Sequence, residues 1–425
     1  MARTFTRAPS MPQRTVPVSS RLSDVRYEIR GALSRRAREL EAEGRHIVRL
    51  NIGNPGLFGF AVPAHVRAEV EANLSRSEAY CHQQGLQAAR EAIAAREIAR
   101  GAQGAHADNV FIGNGVSELI DLTLRALLNT GEEVLLPSPD YPLWSAATVL
   151  NGGRARYYPC PASRGHLPDP DEVEALITPR TRALVLINPN NPTGAVYPRE
   201  LLEALVAVAE RHRLLLLSDE IYDGILYDDA KFHPLAPLAG DVPCVTYAGL
   251  SKMQRACGYR TGWISVSGSE AKFAEFRAAL DLLSALRLCA NVPSQWAIVP
   301  ALTGPDTMSA LTAPGGRLFE ARRAVIEGVR ASEFLEVVAP QGALYAFPQV
   351  KPGALPAFDD EAFALDLLET ESVLVVPGNG FNIRERNHFR MTLLPQPAEI
   401  GDVFARIERC LRRTAERAAP ARHVA

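Results

Sequence analysis

The order of apolar and polar positions divides the chain into alternating strand-like and helix-like segments. Seven short runs, most of them rich in Val, Leu and Ile, are typical of buried strands: NVFIG, EVLLP, RARYYP, ALVLIN, LLLLSDE, CVTYAGL and GWISVS. Helical spacing is found around them, near residues 63–74, 85–100, 117–128, 143–151, 171–176 and 198–212. Strands that alternate with helices form mostly parallel sheets covered on both faces. We therefore predict an α/β fold with a mostly parallel seven-stranded sheet.

The pattern changes after about residue 300. There the segments VVAPQGALYAFPQV, SVLVVPG and HFRMTLLP read as strands that alternate with amphipathic helices. This order predicts a smaller α/β domain over residues 301–425, after a large domain over residues 61–300. We expect residues 25–60, which contain a helix over residues 26–43 and a strand, to join the small domain.

The first 24 residues differ in composition from the rest of the chain. They contain four arginines, several Ser and Thr, and no acidic residue before Asp24. Such a composition occurs in transit peptides and in disordered extensions alike, and no apolar segment suggests a secretory signal. We predict a disordered extension over residues 1–24.

Composition and charge are those of an ordinary enzyme. Hydrophobic residues make up 47% of the chain, charged residues 22%, and the formal net charge is −2. These values give no electrostatic reason to bind nucleic acid or an anionic membrane, and apolar runs such as residues 214–217 are too short to span a bilayer. The six cysteines include no CxxC pair, and the histidines form no cluster. We expect reduced thiols, a cytoplasmic location and no metal site.

Polar and Gly/Pro-rich sequences follow the predicted strands: GNG, PSPDYP, NPNNPTG, SDEIYDG and GLSK. Ligands bind at the carboxyl ends of the strands in open parallel sheets, so we expect a site where these loops meet. Taken alone, each residue has a simpler explanation: Lys252 as a surface charge, Asp219 as a helix cap, and Asn191 as a turn residue. Taken together, they offer an amine, a carboxylate and an amide at one edge of the sheet.

The sequence FIGNGVSEL adds a candidate phosphate site, because it reads as a strand, a glycine-containing turn and a helix start. The free backbone amides of Val116 and Ser117, the Ser117 hydroxyl and the helix dipole suit a phosphate group. Glu118 stands where a dinucleotide-binding GxGxxG fingerprint needs its third glycine, which argues against a nicotinamide cofactor. A buried carboxylate such as Asp219 needs a partner, and a protonated ring nitrogen would be a suitable one.

The motifs GNGVSE, NPNNPTG, SDEIY and GLSKMQRACGYR occur in the order seen in the class I and II aminotransferases, the fold type I group of pyridoxal-phosphate enzymes. The chain resembles this family from about Val25 to its last helix, and the spacing of Asn191, Asp219, Lys252 and Arg260 agrees as well. Within the family it is most similar to the bacterial alanine (glutamate–pyruvate) aminotransferases, with which it shares LNIGNPGLFGF, PSPDYPLW, DEIYDGILYDD and LRLCANVPSQ. The resemblance implies the fold type I architecture, pyridoxal 5′-phosphate as cofactor, and amino acids and 2-oxo acids as substrates.

The resemblance implies a role at the cofactor for each strand-end residue. Lys252 would form an imine with the cofactor aldehyde and, once displaced, carry a proton at the substrate α-carbon; such acid–base catalysis contributes ~10²–10⁴-fold. Asp219 would keep the pyridine nitrogen protonated, so that the ring withdraws electrons. Tyr222 and Asn191 would hydrogen-bond the ring oxygen, and Tyr141 would stack on the ring face.

The resemblance also implies how the cofactor phosphate is held. Arg260 would bind it together with the backbone amides of Val116 and Ser117, a task suited to a forked guanidinium. Tyr80, in YCHQQG, would reach the phosphate from a neighbouring subunit. The resemblance therefore implies a homodimer with shared active sites.

For the substrate, the resemblance implies that Arg390 clamps the α-carboxylate, beside Asn191 and the backbone of Gly53. Many members of the family carry Ser-x-Ser-Lys where this chain has Gly249, and the alanine enzymes share the GLSK form. We expect amino transfer from L-alanine to 2-oxoglutarate. Another amino donor, or another pyridoxal-phosphate reaction on this fold, stays open, because GNGFNIRERNHF differs from the alanine enzymes and no second arginine is evident for a distal carboxylate. A ligand-sensing regulator is disfavoured, since 25 residues are too few for a DNA-binding domain.

Overall fold

The computed structural model of the protein describes residues 16–418, apart from positions 28, 30 and 357. The first fifteen residues of the predicted extension therefore lie outside the described residues, while Ser20–Asp24 forms an exposed 3-10 helix. None of the helices in this part of the chain combines the length and the apolar character that crossing a membrane would need.

The first α-helix and the first strand join the N-terminal segment to the C-terminal part of the chain. Helix α1 (Ala32–Ala42) leads into strand β1 (Val48–Arg49), which pairs in parallel with Val373–Leu374. The helix begins later than the predicted residue 26, because Gly31 is its N-cap and residues before it line a cavity instead. The ion pair between Arg36 and Glu369 adds a second contact with the C-terminal part.

A seven-stranded sheet forms the centre of the large domain and confirms the predicted architecture. Its strands are β2 (Val110–Gly113), β3 (Glu133–Ser138), β4 (Arg154–Pro159), β5 (Thr181–Ile187), β6 (Leu215–Asp219), β7 (Cys244–Gly249) and β8 (Gly262–Ser267), in the spatial order β2-β8-β7-β6-β5-β3-β4. Strand β8 runs antiparallel to β2 and β7, and the other neighbours are parallel. Strands β5 and β6 are buried along nearly their whole length, which explains their unbroken apolar sequences.

Helices cover both faces of this sheet. They are α2 (Ala64–Ala72), α3 (Gln87–Arg100), α4 (Val116–Leu127), α5 (Leu143–Leu150), α6 (Pro170–Ala175), α7 (Arg199–His212), α8 (Leu235–Ala239), α9 (Leu250–Met253), α10 (Glu270–Leu286) and α11 (Ile298–Thr303). In α7 the buried residues include Leu202, Leu205 and Ala209, which recur at helical spacing. The sequence pattern does not predict α10, because few of its seventeen residues are buried and its apolar face is weak.

The C-terminal part packs helices on short strands. It contains α12 (Ser309–Thr312), α13 (Arg317–Ala331), α14 (Asp360–Glu371) and α15 (Pro397–Ala418), with β9 (Leu335–Glu336), β10 (Tyr345–Ala346), β11 (Gln349–Val350), β12 (Val373–Leu374), β13 (Val376–Pro377) and β14 (Phe389–Thr392). The predicted strand SVLVVPG is two strands, since β12 pairs with β1 and β13 pairs with β14. Helices α13 and α15 approach closely at Gly328, where an added Cβ would collide with the Phe404 ring.

Candidate active site

A cavity of about 580 Å³ lies at the carboxyl ends of the central strands. Its walls come from the N-terminal segment, the large domain and the C-terminal part. Most of the predicted site residues line it: Gly53, Val116, Ser117, Tyr141, Asn191, Asp219, Tyr222, Lys252, Arg260 and Arg390. Tyr80 does not line it, and its side chain is 78% exposed on the surface. Folding therefore brings all the predicted contacts except Tyr80 to one place.

Lys252 lies in the short helix α9, directly after strand β7. Its Nζ donates a hydrogen bond to the backbone oxygen of Gly53 at 2.6 Å, and the Sγ of Cys257 is 4.0 Å away. Gly249 at the end of β7 has no room for a side chain, because an added Cβ would lie 2.8 Å from the backbone oxygen of Thr261. This contact accounts for glycine in the GLSK sequence and sets the start of the turn that carries the lysine.

Asp219 is a buried carboxyl group at the end of β6. Its Oδ2 accepts a hydrogen bond from Trp144 Nε1 at 3.1 Å, and its Oδ1 accepts one from the backbone nitrogen of Ile221 at 3.4 Å. Burial raises the pKa of Asp219 to about 6, although these hydrogen bonds and the charge of Lys252 lower it. A cation bound in the cavity would favour the ionised form. The sequence reading missed Trp144, although the quoted segment PSPDYPLW contains it.

Tyr222 and Tyr345 face each other beside Lys252. The Tyr222 hydroxyl donates to the Tyr345 hydroxyl at 3.2 Å, and burial raises the pKa of Tyr222 well above its usual value. Burial acts on Tyr345 in the same direction, but the positive charges of Lys252 and Arg390 outweigh it and lower the pKa of Tyr345. An added Cβ at Gly53 would collide with the Tyr345 hydroxyl. Tyr345 was missed as a site residue, and its signal was the segment QGALYAFP.

A second pair of tyrosines forms another wall of the cavity. The hydroxyls of Tyr27 and Tyr141 are 3.4 Å apart, and burial raises the pKa of Tyr141. Tyr141 was predicted as a residue that stacks on the cofactor ring. Tyr27 was missed, because residues 26–43 read as one helix and their first turn was assigned to it.

Arg390, in strand β14, is a guanidinium whose hydrogen-bond partners in the described part of the chain are neutral. It is 1% exposed, its Nη1 donates to Asn191 Oδ1 at 2.9 Å, and its Nη2 donates to the backbone oxygen of Asn51. Its Nε has no hydrogen-bond partner among the described residues. The Cζ atom lies 4.3 Å from the Tyr345 ring centroid and 4.8 Å from that of Phe381. Since a buried cation without a counter-charge is costly, this position suits an anionic ligand.

The start of helix α4 provides a second anion-binding position. Val116 and Ser117 form its first turn, after Gly115 with a φ of +83°. An added Cβ at Gly115 would collide with the guanidinium of Arg260, which donates to two backbone carbonyls at 3.1 and 3.3 Å. Helix amides and a guanidinium are the groups that bind phosphate, and Arg260 has no acidic partner within the described part of the chain. Across the described ranges, His, Cys, Asp and Glu side chains form no group suited to a metal ion.

The chain is similar to known aminotransferases along nearly its whole length. The sequence profile of the family described as "Aminotransferase class I and II" matches residues 45–407. Glutamate-pyruvate aminotransferase AlaA of Escherichia coli (strain K12) is 46% identical, over 90% of this chain and 94% of that protein. Alanine aminotransferase of Mycobacterium tuberculosis (strain ATCC 25618 / H37Rv) is 47% identical, over 93% of this chain and 92% of that protein.

Solved structures share the fold. An aminotransferase from Escherichia coli has a TM-score of 0.92 at 44% identity, over 94% of this chain and 99% of that one. Alanine aminotransferase from Pyrococcus furiosus has a TM-score of 0.87 at 34% identity, over 93% and 100%. The Lys252 amine, the Asp219 carboxyl group and the first turn of α4 fit the aldehyde, ring nitrogen and phosphate of the cofactor. The resemblance is thus confirmed, and the chain belongs to the class I and II aminotransferases, which depend on pyridoxal 5′-phosphate.

Proposed function

We propose that this protein transfers the amino group of L-alanine to 2-oxoglutarate, which yields pyruvate and L-glutamate. The observation that carries the proposal is Arg390, a buried guanidinium that lines the cavity of Lys252 and whose Nε has no hydrogen-bond partner among the described residues. Such a group binds the carboxylate that all amino acids and 2-oxo acids have in common. The choice of alanine is supported by the relatives from E. coli and M. tuberculosis, whose names specify alanine or glutamate and pyruvate.

Pyridoxal 5′-phosphate would be held by side chains from several strand ends. The backbone amides of Val116 and Ser117 would bind its phosphate together with Arg260. Asp219 would pair with the protonated ring nitrogen, which offsets the cost of burying the carboxylate. Lys252 would bind the aldehyde carbon. When bound, the cofactor supplies an electron-withdrawing ring that stabilises negative charge at the substrate α-carbon.

We assign proton transfer at the α-carbon to Lys252. The backbone oxygen of Gly53 orients its Nζ, and this neutral partner leaves the amine able to exchange a proton. A positioned acid–base group of this kind accelerates a reaction by ~10²–10⁴-fold. Asn191 supports substrate binding, because its Oδ1 accepts a hydrogen bond from Arg390 Nη1 and so holds the guanidinium in place.

The protein is further proposed to be a cytoplasmic homodimer. Its six cysteines are unpaired, as is typical of a reducing compartment. More than half of the side chain is exposed in three leucines near the end of α10: Leu282, Leu286 and Leu288. Gln83 Nε2 donates to Asp281 Oδ1 at 3.1 Å, which places the loop of Tyr80 beside this helix end. Apolar surface of this kind is typical of an interface, and a second copy would carry Tyr80 toward its partner's phosphate site.

The oligomer is tested by light scattering on the eluting protein. We expect the mass of a dimer for the unchanged chain and of a monomer for Leu286→Asp, because a charge in an apolar interface opposes association. Leu365→Asp is the matched control, since Leu365 is 45% exposed on α14, away from this surface, and its substitution should leave the dimer intact. A monomeric unchanged chain would contradict the dimer.

The reaction is tested with a panel of amino donors and 2-oxo acids. Alanine with 2-oxoglutarate should give equal amounts of pyruvate and glutamate, measured by chromatography. A clearly higher kcat/KM with another donor would replace alanine in the proposal. The absence of turnover with any small amino donor would refute the proposed reaction altogether.

A further inference from the structure

One cysteine thiol lies inside the active-site cavity. The Sγ of Cys257 is 4.0 Å from Lys252 Nζ and donates to the backbone oxygen of Ser251 at 3.0 Å. Its side chain is half-buried and lines the cavity. The other cysteines lie elsewhere, three of them buried and two half-buried outside this cavity: Cys160, Cys244, Cys410, Cys81 and Cys289. Small molecules that enter the site therefore meet the thiol of Cys257.

The surroundings of this thiol point to a ligand with a carboxylate. The thiol lies beside Lys252, the residue proposed to bind the cofactor, so an acid attached there would occupy the active-site cavity. Independently of the thiol, Arg390 lines the same cavity with 1% exposure and an Nε that has no hydrogen-bond partner among the described residues. A buried guanidinium of this kind recognises a carboxylate. The cavity thus combines an anchor for an acid with a nucleophile beside the reactive lysine.

We propose that Cys257 is a site of covalent modification by 3-halo-2-oxo acids. This recognition rests on the proposed binding of 2-oxo acids at Arg390. Arg390 holds the carboxylate while the Cys257 thiolate attacks the halogen-bearing carbon. A carbon–sulfur bond forms, the carbon–halogen bond breaks, the halide leaves with the electron pair, and the thiol proton passes to solvent. The attached acid then occupies the cavity beside Lys252 and blocks transamination.

The test is peptide mapping of the holoenzyme after brief exposure to 3-bromopyruvate. Mass spectrometry counts alkylation of Cys257, Cys81 and Cys289, and the mapping is repeated with iodoacetamide, which lacks a carboxylate. The rate with 3-bromopyruvate is divided by the rate with iodoacetamide at each thiol, because Cys81 and Cys289 lie beside the proposed dimer surface and burial raises the pKa of Cys81 to about 11. We expect this ratio to be about tenfold higher at Cys257 than at the other two thiols, because a charge-assisted contact with Arg390 concentrates only the acid. Propionate, an unreactive three-carbon carboxylate, should slow the labelling of Cys257 by 3-bromopyruvate alone. An equal ratio at the three thiols would overturn the proposal.

Three variants separate recognition of the acid by Arg390 from the reactivity of the Cys257 thiol. Arg390→Lys should lower the ratio of the two rates at Cys257, because lysine keeps the charge but loses the forked donor. Activity after exposure is measured as a fraction of each variant's own starting activity. It should persist in Cys257→Ala and Cys257→Ser, and inactivation of both at the rate of the unchanged enzyme would overturn the proposal.

This outcome can be separated from that of the proposed reaction. Selective, propionate-sensitive alkylation in a protein that does not use alanine would support the modification site and refute the alanine reaction. Turnover of alanine together with unselective alkylation would support the reaction and refute the modification site.

Discussion

Two sets of charged side chains lie beside the end of strand β6, and they differ in how their charges are compensated. In the active-site cavity, Lys252 and Arg390 donate hydrogen bonds to neutral oxygens. The second set, which we call the ion cluster, brings together acids and arginines from α3 and the loop after β6: Arg96, Glu97, Arg100, Glu220 and Asp223. A charge left without a protein counter-charge is suited to a ligand, whereas a charge paired within the protein holds structure in place.

Arg100 connects the two carboxylates that flank Tyr222. Its Nη2 donates to Asp223 Oδ2 at 2.7 Å, and its Nη1 donates to Glu220 Oε2 at 3.4 Å. Both carboxylates are buried, and so is Tyr222 between them. The ion cluster therefore fixes the segment that presents Asp219 and Tyr222 to the cavity.

Asp219 and Glu220 are neighbours in sequence but belong to different sets, because successive side chains of an extended chain point to opposite sides. Asp219 contacts Trp144 on α5, whereas Glu220 contacts Arg100 on α3. One strand end thus supplies a ligand-binding group to the cavity and a structural group to the ion cluster. We expect substitutions in the cavity to lower activity more than stability, and substitutions in the ion cluster to do the opposite.

The strongest test of this contrast is Lys252→Ala. Turnover of alanine and 2-oxoglutarate should fall at least about 10⁴-fold, because both the covalent contact and the proton carrier are lost. The unfolding temperature of the cofactor-free protein should change little, since the lysine gives up one hydrogen bond to the backbone oxygen of Gly53 and a 4.0 Å contact with Cys257 Sγ. Lys272→Ala, at an exposed position of α10, is the control and should keep full activity. Activity within about tenfold of the unchanged enzyme would contradict the role of Lys252.

Arg390→Lys should have the next largest effect. The substitution keeps a positive charge but removes the forked donor, so kcat/KM for alanine should fall by ~10²–10³-fold. Steady-state kinetics with alanine and with 2-oxoglutarate measure the fall in kcat/KM. The KM values for both substrates should rise, because both bind through an α-carboxylate. Arg384→Lys, at an exposed position of the loop that precedes β14, is the control. Similar kinetics in the two variants would show that the α-carboxylate binds elsewhere.

The two sets also differ in how well the sequence predicts them. Asn191, Asp219 and Lys252 follow strands in recognisable motifs, so their meeting point follows from the parallel sheet. Arg96 and Arg100 sit four residues apart on a helix and read as ordinary surface charges. Their partners become visible when α3 packs beside the loop after β6, and no local pattern contains that information.

Two residues of the cavity were not predicted for the same reason, namely that their role depends on long-range contacts. Trp144 and Tyr345 are aromatic residues in apolar segments, and such residues usually belong to a core. They become site residues through long-range contacts, Trp144 with Asp219 and Tyr345 with Tyr222. The direction of β8 is a further example, because periodicity identifies a strand but pairing across the sheet decides its orientation.

In the ion cluster, Arg100→Gln should lower stability more than activity, which is the opposite of the result expected for substitutions in the cavity. The substitution leaves the carboxylates of Glu220 and Asp223 buried with less compensation, and the free energy of unfolding should fall by about 3 kcal/mol. Activity should fall less than in Arg390→Lys, because Arg100 acts through the backbone of Tyr222. Denaturant unfolding and kcat, measured on the same preparations, check both statements.

The control for this variant is Arg211→Gln, which removes a surface ion pair with Glu174. Exposed pairs contribute little to stability, so this change should be much smaller. Equal destabilisation by the two substitutions would mean that burial adds nothing to the stabilising effect of these ion pairs. The proposed structural role of the ion cluster would then be wrong.

Glu97 is the member of the ion cluster whose charge is least compensated. Its two carboxylate oxygens are buried without a hydrogen-bond partner among the described residues, and Arg100 Nη1 is 3.9 Å from one of them. Burial raises the pKa of Glu97 above its ordinary value of 4.5, although Arg100 and Arg96 lower it. The stability that this group contributes is therefore fully present below about pH 4.5 and is lost as the pH rises through the folded-state pKa.

Glu97→Gln should consequently stabilise the protein, with the smallest effect of the series. The amide keeps the shape of the side chain and cannot ionise, so we expect a gain of about 1 kcal/mol at pH 8 that shrinks toward pH 4.5. Unfolding midpoints across this pH range measure it, with Glu91→Gln at an exposed position of the same helix as the control. A variant that is less stable than the unchanged protein at pH 8 would show that Glu97 is ionised and held by the arginines. In that case every charge of the ion cluster would be compensated within the protein. The cluster would then differ from the cavity, where Lys252 and Arg390 donate to neutral oxygens, even more than its hydrogen bonds indicate.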